Sequence, residues 1–349
     1  MNAALPRPGL REVAPYEAPQ LDVPARLNTN ECPYPLPDAF RERLGAAISA
    51  LSLNRYPERE ADTLRARLAE LHGHALDGTW VANGSNEILG QILQAYAGSG
   101  RRVAVFEPTY ALHSRLAWVT QSEVVTHRLD EPWTIRTADV DVAFASRPDV
   151  VFVCSPNNPT GNTQPTESIV EIASRGSALV VVDEAYVEFG GESAVALLPR
   201  FPNLVVVRTF SKAFAMAGAR IGYCLTSPEV VEDLRRVRLP YHLSALSQTA
   251  GLVALDHRGE AEDILAAIRT ERDRILEALP PMGAEVFRSD ANFVLFRPAR
   301  PAADVWRALL DRGVLIRDFS AIVPGCLRVT AGTPEEVDRF LSALEEVLT

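Results

Sequence analysis

Lysine is almost absent from this sequence. Of the 35 lysine and arginine residues, only Lys212 is a lysine and the other 34 are arginines. Arginine pairs with carboxylates and phosphates at least as well as lysine does, but its guanidinium keeps its proton at every pH that a protein meets. Composition alone therefore leaves two interpretations equally open: Lys212 is a Schiff-base nucleophile, or it survived a drift in composition by accident.

Other common features are also missing, and each absence excludes a class of protein. The four cysteines show no C-x-x-C spacing, which argues against a zinc knuckle or a redox pair and favours buried free thiols. No apolar run approaches the length of a membrane span, and the N-terminus lacks the pattern of a signal peptide. A net charge of −10 argues against nucleic acid as a partner. We expect a soluble, cytoplasmic protein with no membrane or nucleic-acid partner.

The pattern along the 349 residues predicts two domains and an arm. Residues 1–40 are rich in proline and predict an extended N-terminal arm. Residues 41–243 alternate short valine-rich runs with amphipathic segments, which is typical of an α/β domain with a mostly parallel sheet covered by helices. Residues 244–349 predict a smaller α+β domain. The clearest strand candidates are residues 102–106, 150–153, 179–182 and 204–207.

Two ionisable residues follow predicted buried strands directly. Lys212 comes shortly after the strand at 204–207, where a desolvated amine could have a lowered pKa and act as a nucleophile or base. Asp183 ends the strand at 179–182, and a carboxylate there is costly unless it is paired. Asp183 could keep the ring nitrogen of a ligand protonated; the simpler alternative is an ordinary capping or salt-bridged aspartate.

Three further motifs suggest polar contacts to a ligand. The turn Ser155–Gly161 would aim the Asn158 amide into a cleft, or be a purely structural turn. Gly84-Ser85-Asn86 opens a predicted helix, where free N–H groups can bind an anion, although a plain N-cap is the alternative. Ser211 and Arg220 could donate to the same anion. The order of these motifs along predicted parallel strands describes a pocket for pyridoxal phosphate.

With these motifs in place, the chain resembles the fold-type I pyridoxal-phosphate aminotransferases, and within them the histidinol-phosphate aminotransferase family. The resemblance implies a mostly parallel seven-stranded sheet in the large domain, and an arm that packs on the small domain and on a partner subunit. It covers nearly the whole chain and rests on Leu27–Glu31, Tyr56-Pro57, Gly84–Glu87, Glu107–Tyr110, Ser155–Gly161, Asp183–Tyr186, Ser211–Phe214, Arg220–Tyr223, Asn292–Leu295 and Leu327–Thr330.

The resemblance also implies how individual residues hold the cofactor. Lys212 would bond to it covalently and then move the substrate's proton, and Asp183 would pair with the ring nitrogen. Asn158 and Tyr186 would contact the phenolic oxygen, and Tyr110 would stack on the ring face. The phosphate would be held by Ser85, Asn86, Ser211, Arg220 and, from the partner subunit, Tyr56. The contact of Tyr56 with the cofactor of the other subunit implies a homodimer with shared active sites.

For the substrates, the resemblance implies that Arg328 grips the α-carboxylate of glutamate. It also implies that Arg317 and Tyr16 take the substrate's own phosphate, with Asn30 nearby as a further substrate residue. No metal site is expected, since His72 and His74 have no third ligand beside them.

The expected reaction is transamination of L-histidinol phosphate with 2-oxoglutarate in histidine biosynthesis, giving imidazole-acetol phosphate and glutamate by a ping-pong course. Two enzyme alternatives remain open: an aromatic amino-acid aminotransferase and, less favoured, a threonine-phosphate decarboxylase. An aminotransferase-like regulator is disfavoured because an arm of 40 residues is too short to be a DNA-binding domain.

Overall fold

The computed structural model describes residues 4–7, 9–13, 15, 19–176 and 178–349. Its strands are β1 Ala25–Arg26, β2 Thr79–Ala82, β3 Arg102–Glu107, β4 Glu123–Arg128, β5 Val150–Cys154, β6 Leu179–Asp183, β7 Leu204–Thr209, β8 Gly222–Leu225, β9 Glu285–Val286, β10 Phe293–Arg297, β11 Val314–Leu315, β12 Arg317–Asp318 and β13 Leu327–Thr330.

The α-helices are α1 Asp38–Ser49, α2 Asp62–His72, α3 Ser85–Tyr96, α4 Leu112–Val119, α5 Thr137–Ala145, α6 Thr166–Ser174, α7 Pro228–Val237, α8 Ala245–Asp256, α9 Arg258–Ala278, α10 Ala302–Asp311 and α11 Pro334–Leu348. Short 3-10 helices cover Leu10–Glu12, Val187–Phe189, Ala194–Arg200, Ala217–Ala219 and Pro280–Met282.

The largest sheet confirms the predicted fold class. In the described part of the chain it has seven strands in the order β2-β8-β7-β6-β5-β3-β4, and β8 alone runs antiparallel to its neighbours. Strand β6 is buried along its whole length although it alternates between two faces. Val180 and Val182 pack into one hydrophobic core, whereas Val181 packs into another on the opposite face. A continuous valine run is the sequence that such a doubly covered strand requires.

A second sheet builds the C-terminal part of the chain. It is antiparallel, with the order β12-β13-β10-β9, and packs with α9, α10 and α11 around its own core, which includes Phe296 and Phe340. The N-terminal segment is tied to this part, because Ala25 and Arg26 pair with Val314 and Leu315. The boundaries at residues 40 and 243 stay predictions.

The structure also describes the state of the cysteines, the length of the helices and the grouping of possible metal ligands. All four cysteines are free, and Cys154, Cys224 and Cys326 are buried whereas Cys32 is half-buried. Among the described residues, none of the helices has the length and apolar character needed to cross a bilayer. The same part of the chain holds no cluster of three or more histidine, cysteine or acidic side chains placed to bind a metal.

Candidate active site

Strands β5, β6 and β7 end at the same edge of the large sheet, and a cavity of about 540 Å³ opens there. The cavity also reaches the C-terminal sheet, which contributes residues of β12 and β13. Twelve of the predicted site residues line it together, namely Asn30, Ser85, Asn86, Tyr110, Asn158, Asp183, Tyr186, Ser211, Lys212, Arg220, Arg317 and Arg328.

Lys212 lies in the loop that follows β7. Its Nζ donates a hydrogen bond to the backbone oxygen of Thr29 at 3.0 Å. Burial, helped by the positive charge of Arg328, lowers the pKa of the amine to about 8. The amine therefore loses its proton at a lower pH than an ordinary surface lysine, although it is still mostly protonated at pH 7.

Asp183 is the last residue of β6 and is only 2% exposed. Its Oδ1 accepts the backbone N–H of Ala185 at 3.2 Å, and its Oδ2 lies 3.1 Å from Nε2 of His113. The His113 ring is fully buried and stacks on Phe152 with 4.5 Å between ring centroids. These contacts offset part of the cost of burying a carboxylate and fix its direction into the cavity.

His113 had not been predicted as a site residue. It lies 70 positions from Asp183 in the chain, on helix α4. The available signal is its spacing of three from Tyr110, whose ring contacts the His113 ring edge-on at 5.5 Å. A spacing of three residues can place two side chains on the same side of the chain, but it does not reveal that His113 contacts Asp183 at the end of β6.

An anion cradle is formed where α3 begins. Gly84 precedes the helix with φ of 86°, and no side chain caps the first turn, so its backbone N–H groups can donate to a ligand. The Arg220 guanidinium donates to Ser211 Oγ at 3.2 Å on the other side.

Two glycines allow this close approach. A Cβ on Gly84 would lie 2.4 Å from Nη2 of Arg220, and one on Gly222 would lie 2.1 Å from the backbone nitrogen of Ser85. Larger residues would push the helix start and the guanidinium apart. The cradle thus has the donors and the room for a phosphate group.

Tyr186 has a buried hydroxyl at the centre of an amide network. Its oxygen accepts from Nδ2 of Asn30 at 3.0 Å and from Nδ2 of Asn158 at 3.4 Å. Burial raises the pKa of Tyr186 to about 12, so the phenol keeps its proton. The hydroxyl can therefore donate to an oxygen in the cavity.

Arg328 is held rigidly on β13. Its guanidinium donates to the side-chain oxygen of Asn158 and to the backbone oxygen of Asn28, and lies between the rings of Phe293 and Phe319 at 4.9 and 4.8 Å. Arg317 on β12 is its direct partner in the antiparallel register. Side chains opposite each other in such a pair project to the same face, so two guanidinium groups share this wall.

Two predicted residues lie outside this arrangement. Tyr56 does not line the cavity; it is 78% exposed and stacks on Tyr241 at 4.3 Å. Its predicted role in a partner's site stays a prediction. Tyr16 lies outside the described residues.

The fold and the cavity define an aminotransferase-like protein, and comparison with known proteins agrees. The family model for class I and II aminotransferases matches residues 24–344. The histidinol-phosphate aminotransferase of Frankia casuarinae is 48% identical, with 98% of this chain and 90% of that relative covered.

Solved structures give the same fold. The histidinol-phosphate aminotransferase from Sinorhizobium meliloti, in complex with pyridoxal-5'-phosphate, matches with a TM-score of 0.85 and 25% identity, covering 93% of this chain and 91% of that one. L-threonine-O-3-phosphate decarboxylase from Porphyromonas gingivalis matches with a TM-score of 0.81 and 26% identity, covering 92% and 98%. The chain belongs to the class I and II aminotransferases and, within them, to the histidinol-phosphate aminotransferase family.

Proposed function

We propose that this enzyme transfers the amino group of L-histidinol phosphate to 2-oxoglutarate in histidine biosynthesis, with pyridoxal phosphate as its cofactor. The observation that carries the proposal is one cavity that joins the Lys212 amine, an anion cradle, and the Arg317–Arg328 pair. An amine that forms a covalent bond, a phosphate site, and a separate wall for an anionic substrate are what this reaction requires.

The residues of the cavity fit pyridoxal phosphate. Its phosphate suits the cradle of Ser85, Asn86, Ser211 and Arg220, where glycine at position 84 leaves the space that a Cβ would fill. When bound, the cofactor supplies an aldehyde that captures amino groups and a ring that withdraws electrons from the reacting carbon.

The remaining groups orient the ring and move the proton. Asp183, held by His113, would keep a proton on the ring nitrogen, which strengthens electron withdrawal. Tyr186 and Asn158 would donate to the phenolic oxygen, and Tyr110 would lie against the ring. The Lys212 amine would accept the proton of the substrate's amine-bearing carbon and donate it again.

For the substrates, we assign the α-carboxylate of glutamate to Arg328, whose guanidinium is already oriented by its hydrogen bonds to Asn158 and Asn28. The phosphate ester of histidinol phosphate, which takes the place of an α-carboxylate, is assigned to Arg317, with Asn30 beside the reacting carbon. A phosphate monoester carries about −1.5 to −2 charges at pH 7, more than the single charge of an aromatic amino acid's α-carboxylate, so a wall with two guanidinium groups favours histidinol phosphate. The 48% identity to a histidinol-phosphate aminotransferase over 98% of this chain favours the transaminase. The identities to the two solved structures, 25% for the aminotransferase and 26% for the decarboxylase, do not separate the two reactions.

Single-turnover half-reactions test the proposal. The pyridoxal form would be mixed separately with histidinol phosphate, phenylalanine and threonine phosphate, and the visible spectrum followed. We expect histidinol phosphate to convert the cofactor to its amine form fastest. Faster conversion by phenylalanine would favour an aromatic aminotransferase, and release of carbon dioxide from threonine phosphate without a keto-acid acceptor would establish the lyase.

Replacing Arg317 with alanine should weaken phosphorylated substrates far more than glutamate. A lost charge-assisted contact costs ~1.5–3 kcal/mol, so kcat/KM for histidinol phosphate should fall roughly 10- to 100-fold. Steady-state kinetics with each substrate varied in turn would measure this. Equal losses for both substrates would show that Arg317 does not bind the substrate phosphate.

The capture of cofactor by the apoenzyme should speed up as pH rises through about 8. Burial lowers the pKa of Lys212 to about 8, so the amine is mostly protonated and unreactive below that pH and mostly neutral above it. Stopped-flow absorbance after mixing apoenzyme with pyridoxal phosphate would give the rate at each pH. A rate that rises only near pH 10.5, the ordinary value of a lysine, would contradict the lowered pKa.

We also propose a homodimer in which Tyr56 reaches the partner's cofactor phosphate. Tyr56 is exposed, lies outside its own cavity and stacks on Tyr241; Leu53 and Leu239, near these two tyrosines in sequence, are also exposed. A dimer would cover this apolar surface. The cytoplasmic location stays a prediction from the sequence.

Mixing two inactive variants tests the shared site. Lys212→Ala and Tyr56→Ala subunits, unfolded together and refolded, should form hybrids with one intact site, since an intact Lys212 then meets an intact Tyr56 from its partner. Activity should exceed the sum of the two homodimers and approach a quarter of the wild-type value at equal mixing, assuming random pairing. No gain in a confirmed hybrid dimer would place Tyr56 outside the partner's site.

A further inference from the structure

Strand β13 reaches the hydroxyl of Tyr186 through two amide side chains. Arg328 donates to the side-chain oxygen of Asn158, and Nδ2 of that amide donates to the Tyr186 oxygen at 3.4 Å. On the other side, Oγ1 of Thr330 lies 3.1 Å from the side-chain oxygen of Asn30, whose Nδ2 donates to the same Tyr186 oxygen at 3.0 Å. Arg328 and Thr330 are two positions apart, so their side chains leave the strand on the same face. One strand therefore contacts both amides that surround the phenol.

The side chains of β13 determine which end of each amide faces the phenol. A guanidinium group only donates, so Arg328 must meet the oxygen of Asn158 and leave its Nδ2 to Tyr186. The Thr330 hydroxyl already accepts the backbone N–H of Asn30 at 3.1 Å. Its own hydrogen is therefore left to donate to the side-chain oxygen of Asn30, which again turns Nδ2 towards Tyr186.

Thr330 opposes the reversed orientation of the Asn30 amide. Reversal would point the Asn30 oxygen at Tyr186, and the phenol would then donate to Asn30 and not into the cavity. Reversal would also strand the hydrogen of Thr330, which is 3% exposed and meets no other acceptor among the described residues. A buried donor without a partner is unfavourable. The backbone of Asn30 is held as well, because its oxygen accepts from Nδ2 of Asn292 at 3.2 Å.

We propose that Thr330 is a positioning residue that acts through the Asn30 amide to point the Tyr186 hydroxyl hydrogen at the phenolic oxygen of the cofactor. This inference rests on the proposed function and deepens it. The Tyr186 oxygen accepts from two amides and burial keeps its proton in place, so its hydrogen is available to the cavity. Thr330 does not line the cavity itself, so its effect on the cofactor has to pass through Asn30 and Tyr186.

The visible absorbance of the bound cofactor, titrated with pH in the holoenzyme without substrate, tests this role. A hydrogen bond to the ionised phenolic oxygen favours the ionised form, so weakening that bond should raise the apparent pKa of the visible band. Thr330→Val keeps the shape and removes the hydroxyl, and it should raise this pKa by roughly one pH unit. Thr330→Ser keeps the hydroxyl and should titrate near the wild-type value.

Thr226→Val is the matched control. The Thr226 hydroxyl donates to the backbone oxygen of Leu204 at 2.8 Å, and the residue is 1% exposed and does not line the cavity. This variant loses an equally buried hydrogen bond, so it should leave the titration unchanged. A shift in Thr226→Val as large as that in Thr330→Val would show a general effect of loosened packing and overturn the role of Thr330.

Tyr186→Phe tests whether Thr330 acts through the phenol. Removing the Tyr186 hydroxyl should raise the apparent pKa at least as far as Thr330→Val does, and the double variant should shift no further than Tyr186→Phe alone. Additive shifts, or a Thr330→Val titration that matches the wild type, would overturn the role of Thr330. A wild-type enzyme that gives no visible band with pyridoxal phosphate would instead contradict the proposed cofactor, and this role would fall with it.

Discussion

We expect that replacing Lys212 with arginine will abolish transamination and leave the fold intact. The arginine keeps a positive charge and a donor for the Thr29 carbonyl oxygen, to which Nζ of Lys212 now donates at 3.0 Å. It cannot bond to the cofactor or accept the substrate's proton, because its guanidinium does not deprotonate. Loss of the general base alone lowers kcat about 10²- to 10⁴-fold, and loss of the covalent bond adds to this.

Two measurements separate chemistry from stability in this variant. Single-turnover absorbance should show no conversion of cofactor by histidinol phosphate within the time that the wild type needs, while the thermal midpoint Tm stays within a few degrees. Lys212→Ala provides a matched variant, in which an added small primary amine should restore part of the proton transfer. Turnover of Lys212→Arg at a rate near that of the wild type would rule out Lys212 as the catalytic amine.

Much of the large sheet could be predicted because its strands are encoded locally. Strands β5, β6 and β7 are nearly uninterrupted runs of branched apolar residues, as burial on both faces requires. Lys212, Asp183 and Asn158 could be placed together for a related reason: each follows one of these strands, and the carboxyl ends of parallel strands meet at one edge.

Other parts of the site depend on contacts that the sequence does not encode. The hydrogen bond from Arg328 to Asn158 joins residues 170 positions apart, one on β13 and the other in the loop after β5, and no local pattern fixes how the two sheets approach each other. The Lys212 amine is held by a backbone oxygen of residue 29, a group that every residue type possesses. The place of Arg115 in the cavity lining is also invisible in the sequence, because a surface arginine and a cavity arginine look the same.

Asp183 and Glu184 offer a second test, because two adjacent acidic residues face different surroundings. Asp183 lines the cavity, whereas Glu184 is 1% exposed and pairs with Arg208, Nη2 to Oε2, at 2.9 Å. Ser193 also donates to Glu184 at 2.8 Å. The first carboxylate is available to a ligand, and the second is fully engaged within the protein.

Changing Asp183 to asparagine should therefore reduce catalysis, whereas changing Glu184 to glutamine should reduce stability. Asp183→Asn keeps the shape and the bond to the Ala185 N–H but loses the charge that holds a proton on the ring nitrogen. A charged hydrogen bond contributes ~1.5–3 kcal/mol, so kcat should fall roughly 10- to 100-fold, with the cofactor still captured by Lys212. Glu184→Gln removes one of the two carboxylates that pair with Arg208, which keeps Glu188 at 3.2 Å, and a lost hydrogen bond to a charged group costs ~1.5–3 kcal/mol of unfolding free energy.

The two variants should therefore differ in which quantity falls more. Asp183→Asn should show a large fall in kcat and a small fall in Tm, whereas Glu184→Gln should show a large fall in Tm and a small fall in kcat. Because the substitutions are chemically equivalent and adjacent in sequence, a general effect of removing a buried negative charge would change both variants alike. An Asp183→Asn enzyme with wild-type kcat would mean that this carboxylate orients His113 and does not act on the cofactor ring.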